Sequence, residues 1–343
     1  MVPIIGRPVA LKTFPARPAV LIVNLGSPDQ PETKHTRKYL RQFLSDRRVV
    51  ETHPLLWRPI LEGIILTIRP RQSAAKYRTV WDEGASPLVK ATKQQAEYLS
   101  HELGDAAEVR FAMRYGSNSV QSGLQQLHDE GFRKVLVVPL YPQYAASTTA
   151  SITDEVARWM LKSRDQFAVR ISRAFPTDPK YIAALASAIE ACWESTCRPN
   201  FAEGDRLVLS FHGIPVAMAK GGDPYPQECE ATTAALQRCL GIPDGSVVQT
   251  YQSKFGPAPW LTPATIDTVA ALGAQGTGRV DVICPGFVSD CLETLEEIDE
   301  LNRDAYTDAG GGEFNYVPWG NNSEPWLQAL VALVRKDLAG WVA

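Results

Sequence analysis

Positive charge is in short supply: 35 Lys and Arg stand against 38 Asp and Glu, leaving a formal net charge of −3. Nothing supplies the cationic excess that neutralises phosphates, which argues against a general nucleic-acid binder. Long apolar runs are also missing. The longest apolar patch, residues 54–68 (PLLWRPILEGIILTI), carries Arg58 and Glu62 and is too short to span a bilayer. The first residues, MVPIIGRPVALKTFPARP, are broken by prolines and charges before an apolar core can build, which makes a poor secretory signal. The six cysteines (192, 197, 229, 239, 284 and 291) form no CxxC pair. Their scatter reads as reduced thiols of a cytoplasmic protein, not a disulfide framework. There is no GxSxG elbow, no GxxxxGK[ST] loop and no GxGxxG after a strand; GAQGTG at 273–278 precedes one instead. These gaps disfavour a serine hydrolase and a nucleotide-binding protein.

What is present is an ordinary globular composition, 45% hydrophobic and 21% charged over 343 residues, long enough for two domains. Strand-like runs fall at 19–25, 109–115, 134–140 and 167–173, with helix-length segments between them, and the alternation repeats at 206–211, 247–253, 280–284 and 314–317. AVLIVNLGSP in the first half is matched by RLVLSFHGIP in the second, FAMRYGS by VVQTYQSKFGP, and KVLVVPLYPQYAAST by RVDVICPGFVSDCLET. The simplest architecture is α/β: two similar doubly wound domains with parallel four-stranded sheets and a cleft between them. A helix near 179–197 crosses to the second sheet and a terminal helix near 324–338 returns. The expected division is 1–176 plus 324–343 for one domain and 177–323 for the other.

Ligands of such sheets sit beyond the carboxyl ends of the strands, and the unusual residues gather there. Asn24 to Ser27, Arg114 and Tyr115, then Tyr141, Tyr144, Ser147 and Thr148 close strands of the first half. Ser210, His212, Gln252, Ser253, Lys254 and Trp260 do so in the second. After the last of these comes an acidic stretch in which Asp290, Glu293, Glu297, Glu300 and Asp304 step by three or four residues, one ridge of a 3.6-residue helix with Asp290 as N-cap. Such a ridge is either a solvated face or a row of hard oxygen ligands that passes a divalent cation along. His212, at a strand terminus before Gly-Ile-Pro, is either a structural histidine or a base and metal ligand aimed into the cleft. The other four histidines (35, 53, 101 and 128) read as surface residues. One imidazole with carboxylates is incomplete as a catalytic zinc site, and a weak, transient divalent site fits better. Trp57 and its Leu and Ile neighbours, flanked by Arg58, Arg69 and Arg71, suit a membrane interface, the lip of an apolar pocket or a buried core helix.

At this point the motifs resemble those of a known family. GASPL (84–88), PLYPQYAAST (139–148), LSFHGIP, GDPYPQE (222–228), YQSKFGPAPWLTPAT (251–265) and SDCLETLEE (289–297) look like the motifs of ferrochelatase, in its order, from about Val20 to the final helix. The resemblance implies an enzyme that inserts ferrous iron into protoporphyrin IX as the last step of haem synthesis. It implies that His212 and Glu293 flank the insertion site, with Glu297 and then Glu300 next on the metal's route. Leu25, Arg114, Tyr115, Tyr141 and Trp260 would line the porphyrin pocket, and Arg47 and Ser86 would meet the propionates; Tyr225 would be a wall residue or a structural one. Iron is then a substrate, with no cofactor bound permanently and, since no cysteine lies beyond Cys291, no iron–sulfur cluster. Cys291 stands where animal members carry histidine, and Leu25, where users of coproporphyrin carry tyrosine, favours protoporphyrin IX. The expected setting is cytoplasmic with a peripheral contact on the inner membrane through 54–71. The rival reading is a porphyrin or haem carrier without turnover; a third is insertion of cobalt or nickel into another tetrapyrrole.

Overall fold

Strand β1, Ala19–Asn24, is buried along its whole length, as an uninterrupted apolar run must be when both faces of a sheet are covered. In the computed structural model, which describes residues 14–342 except residue 83, β1 pairs in parallel with β2 (Glu108–Met113) and β3 (Lys134–Pro139), and β3 with β4 (Ala168–Ile171). Most of the N-terminal stretch read as a poor signal, residues 1–13, lies outside the described residues. The second sheet repeats the first, with β5 (Arg206–His212) flanked in parallel by β6 (Val247–Gln252) and β7 (Arg279–Ile283), and β8 (Glu313–Tyr316) outside β7. The strand orders, β2-β1-β3-β4 and β6-β5-β7-β8, are the same. In each, the winding reverses between the first strand and the third, so the crevice at the carboxyl ends of β1 and β5 is the natural ligand position.

Period-two alternation decides which core each strand face enters. Val20 and Ile22 point to a core that also takes Leu207, Leu209 and Ile283, whereas Leu21 and Val23 pack into a core of the first sheet alone. The shared core joins the two sheets through helices 179–196 and 324–337, with Tyr181, Leu185, Trp326 and Leu330 all buried. The helix at Pro179–Thr196 starts where the sequence says it should: Asp178 accepts the Lys180 N–H at 3.0 Å and proline fills the first position. The helix at Glu324–Asp337 packs on 179–196 and on 87–103, and so lies against both halves.

The acidic stretch departs from expectation. Cys291, not Asp290, is the N-cap, and after one short turn (Leu292–Thr294) the chain is π-helical over Leu295–Asn302 before an ordinary helix resumes at Arg303–Asp308. The Asp290 carboxylate is engaged elsewhere, accepting from Thr294, from the Tyr316 hydroxyl at 2.7 Å and from Asn321 at 2.7 Å. Hydrogen bonds of i→i+5 type widen the turn, so the carboxylates do not form one ridge: Glu293 and Glu297 are half-buried while Glu300 and Asp304 face water.

Residues 54–80 also correct the sequence reading, in three parts. A helix at Pro54–Ile60, a π turn at Leu61–Ile65 and a helix at Leu66–Val80 project a lip in which Leu61 and Leu66 are buried and Leu55, Leu56, Ile60, Ile64 and Ile68 are 42–78% exposed. Trp57 is not among the exposed residues; its indole N–H donates to the Leu44 carbonyl at 2.6 Å and its ring packs on the cluster of Tyr39, Leu44 and Tyr115. His128 is likewise packed, its ring 5.4 Å from Trp159 and 5.8 Å from Phe167, instead of lying free on the surface. Among the described residues no helix is long and apolar enough to cross a membrane, and all six cysteines are free thiols.

Candidate active site

Leu25 and His212 occupy equivalent places in the duplicated motif, each directly before a glycine at the end of its central strand. Those glycines are required by close approach. At Gly26, with φ +98°, a Cβ would stand 2.0 Å from the Tyr115 carbonyl oxygen; at Gly213 it would meet the Gln252 carbonyl at 2.9 Å and the Trp260 ring at 3.1 Å. Leu25 is held against Tyr115, and the Trp260 ring closes on Gly213 beside His212.

The His212 ring contacts the Gly213 carbonyl through Nδ1 at 2.7 Å. A carbonyl only accepts, so the neutral imidazole carries its proton on Nδ1 and leaves Nε2 with a lone pair. Phe287 lies 6.4 Å from the imidazole, centre to centre, and packs on the cluster of Leu88, Met113 and Cys291, against which Leu25 packs as well. Phe287 and that cluster therefore connect the His212 side to the Leu25 side.

Beside this ring the acidic segment is held by Gln252, the last residue of β6, and by Ser253 after it. Gln252 pairs with His212 across the sheet and takes the Gly213 N–H on its carbonyl at 2.8 Å. Its side-chain amide donates to the Glu293 backbone carbonyl at 2.7 Å. Ser253 donates its N–H to Glu297 Oε1 at 2.7 Å and its hydroxyl to Oε2. Burial raises the Glu297 pKa, while the Ser253 hydrogen bonds and the His212 charge pull it down and the Glu293 charge raises it further. His212, Glu293 and Glu297 therefore act on one another electrostatically. They do not form a ready-made cage: among the described residues no three His, Cys, Asp or Glu side chains are grouped to hold a metal ion.

Leu25, Ser86 and Glu293 line a narrow crevice of only about 10 Å³ together with Tyr39, Tyr77 and Cys291. Ser86 is buried at the N-cap of helix 87–103, bonded to Ser27 at 2.7 Å. Tyr39 and Tyr77 are new to the site, and burial pushes both phenols well up, with the Glu293 charge adding to it. Burial likewise pushes up the Cys291 thiol, again with Glu293 adding. Tyr141 lies outside the crevice wall, its buried hydroxyl without a hydrogen-bond partner among the described residues. Arg114 and Tyr115 are anchored rather than free. Asp46 accepts from the Arg114 guanidinium, from the Tyr115 hydroxyl at 2.8 Å and from Ser151, and Arg114 stacks 4.4 Å from the Tyr115 ring centre. Arg47, the neighbour of Asp46, is exposed at the surface. Tyr225 is buried in the shared core, so of its two readings the structural one holds. A larger groove, lined by residues 172–179, Val138, Leu333, Lys336 and Asp337, contains none of these residues.

The family model for ferrochelatase matches residues 17–338. The chain belongs to the ferrochelatase family. It is 46% identical over 330 residues to the ferrochelatase of Bordetella pertussis, covering 95% of this chain and 90% of that one. It is 46% identical over 317 residues to the ferrochelatase of Pectobacterium atrosepticum, covering 92% and 97%. Among solved structures, SirB from Bacillus subtilis with Fe3+ superposes with a TM-score of 0.56 over 94% of this chain and 96% of that one, at 14% identity. At that identity the likeness concerns the fold alone. Leu25 and the crevice at the end of β1, and His212 at the end of β5 with Glu293 and Glu297 held beside it, are the groups that this fold brings to its switch points.

Proposed function

We propose that this ferrochelatase inserts ferrous iron into protoporphyrin IX, releasing protohaem and two protons, with His212 and Glu293 as the working pair and Glu297 behind them. A free-base porphyrin carries two pyrrole N–H protons that leave as the dication enters, so the site needs an acceptor with a pKa near the working pH. The observation that carries the reading is the His212 Nδ1 contact with the Gly213 carbonyl, which leaves Nε2 as the acceptor. Glu293 and Glu297 offer hard oxygens to ferrous iron, and once His212 is protonated its charge favours the ionised form of Glu297. Leu25, Tyr141 and Trp260 grip the ring and bend it so that nitrogen lone pairs tilt outward, a distortion of about 1–5 kcal/mol drawn from binding energy. Arg114 and Tyr115, anchored on Asp46, line the pocket, and Arg47 and Ser86 meet the propionates. Iron is substrate in this scheme and no resident cofactor takes part. The test is an insertion assay with ferrous iron, zinc, cobalt and nickel against protoporphyrin IX and coproporphyrin side by side; preference for another tetrapyrrole, or binding without insertion, would overturn it.

The exposed apolar face of the lip supports a second part of the proposal. A cytoplasmic enzyme resting on the inner membrane face would sink Leu55, Leu56, Ile60, Ile64 and Ile68 into the interface, with Arg58 and Arg71 toward anionic headgroups. The apolar porphyrin would then reach the crevice along the same element that carries Tyr77.

A further inference from the structure

Gln252 touches both halves of the proposed catalytic pair without belonging to either. Its backbone carbonyl receives the N–H of Gly213, the residue after His212, at 2.8 Å, and its side-chain amide donates to the carbonyl of Glu293 itself at 2.7 Å. We infer that Gln252 is a positioning residue for iron insertion, the strut that fixes the separation of the His212 imidazole and the Glu293 carboxylate; the inference rests on the assignment of that pair above.

Three further observations support it. Gln252 is 3% exposed, and its amide is oriented from behind: Ser210 donates its hydroxyl to Oε1 at 2.8 Å, and Ser210 is bonded in turn to Thr265 and Thr265 to Thr250. A buried polar chain of this kind holds one geometry because every rotation breaks a bond that no water replaces. The carbonyl it holds lies where the short turn at Leu292–Thr294 passes into the π segment at Leu295–Asn302. Helix hydrogen bonding changes register there, and the backbone gains from a partner outside the helix. Finally, the next residue, Ser253, grips the Glu297 carboxylate, so the last residue of β6 and the one after it hold Glu293 in the short turn and Glu297 in the π segment. A glutamine that served only to fill the core would need none of these bonds to reach across to the acidic segment.

The experiment compares Gln252→Met and Gln252→Glu with the wild-type enzyme. The first keeps the volume without the amide; the second keeps the oxygen that takes the Ser210 hydroxyl but has no N–H for the Glu293 carbonyl. Misplacement of a reacting group by about 1 Å costs on the order of a hundredfold in rate. Both variants should lose about ten- to a hundredfold in kcat and show a raised KM for iron, while the KM and fluorescence-titrated Kd for protoporphyrin IX stay within about twofold. Wild-type kcat in either variant overturns the inference, as does a loss in which iron and porphyrin KM rise together. Should neither variant fold, Ser210→Ala carries the test, since it leaves Gln252 in place but frees its amide: a severalfold fall in kcat with porphyrin binding intact is expected, and full activity overturns the inference. His212→Ala and Glu293→Gln are assayed alongside. If those two retain insertion, the site reading itself falls; if they lose it while the Gln252 variants do not, only the strut does.

Discussion

Ser253 holds both carboxylate oxygens of Glu297, one with its backbone N–H at 2.7 Å and the other with its hydroxyl. It does so from a left-handed conformation, φ +65°, which a non-glycine residue adopts at a cost and keeps only where its surroundings impose it. The clamp holds in place a group that burial disfavours as an anion, the folded-state pKa of Glu297 lying above its ordinary 4.5. The sign of the pH dependence follows. Below pH 4.5 Glu297 is protonated folded or unfolded. Between that value and the raised folded pKa the native state binds more protons than the unfolded one, so stability is lost as pH rises through the window, and above it the penalty is complete. Glu297→Gln removes the titration. The difference in urea unfolding free energy between the variant and the wild type should therefore shift in favour of the variant from about pH 4.5 upward and then level off. A pH-independent difference would refute the assignment.

His212→Ala and Glu293→Gln should each cut iron or zinc insertion by at least about a hundredfold, the usual weight of a positioned acid or base. Protoporphyrin IX binding, read by fluorescence, should stay nearly unchanged, because the crevice walls are mostly other residues. Unimpaired insertion in both variants would remove the pair from the mechanism.

Much of this arrangement was legible beforehand, for reasons that differ by residue. All eight strands announce themselves as short apolar runs, and the duplicated Gly-x-Pro endings place Leu25 and His212 at matching switch points. Local periodicity could not reveal the π segment at Leu295–Asn302, because a few i→i+5 bonds leave no residue signature. The N-cap moved from Asp290 to Cys291 because Tyr316 and Asn321, distant in sequence, claim the aspartate. Tyr39, Tyr77 and Asp46 went unread for the same reason, their partners lying on other elements. For Trp57, composition suggested an interface anchor, but the carbonyl of Leu44 turns the indole inward.

Asp46 makes a case in which the buried partner, not the exposed arginine next to it, supports the pocket. Its side chain is 3% exposed and that of Arg114 10%, so Asp46→Ala strands a guanidinium with only Glu155, 3.3 Å away, for compensation. Breaking a buried pair from one side costs about 3–5 kcal/mol, against about 0–1 kcal/mol for an exposed pair. Urea unfolding should show a loss in the first range, and the KM for protoporphyrin IX should rise as Arg114 and Tyr115 lose their anchor. Asp46→Asn, which keeps an oxygen for the Tyr115 and Ser151 hydroxyls, should cost less. A loss under about 1 kcal/mol for the alanine variant would mean that the pair is solvated and Arg114 is held by something else.

The lip yields the prediction in which structure changes the choice of mutation. Leu55, Leu56, Ile60, Ile64 and Ile68 are all exposed, spread over the two helices of the lip and the π turn between them. Burying each fully in a bilayer interface is worth up to about 1.5–3 kcal/mol, and each arginine near an anionic surface adds about 1 kcal/mol. Apolar burial thus outweighs the charge contribution, and salt should weaken the attachment only in part. The triple variant Leu56→Ser, Ile60→Ser, Ile64→Ser should reduce co-sedimentation with anionic phospholipid vesicles by at least about tenfold while leaving insertion in detergent unchanged, since none of the three lines the crevice. Trp57→Ser should act differently, loosening the lip from Leu44 and the Tyr39 cluster and so destabilising the fold more than the attachment. Equal vesicle binding by triple variant and wild type, or no binding by the wild type, would leave the exposed stripe without a lipid partner.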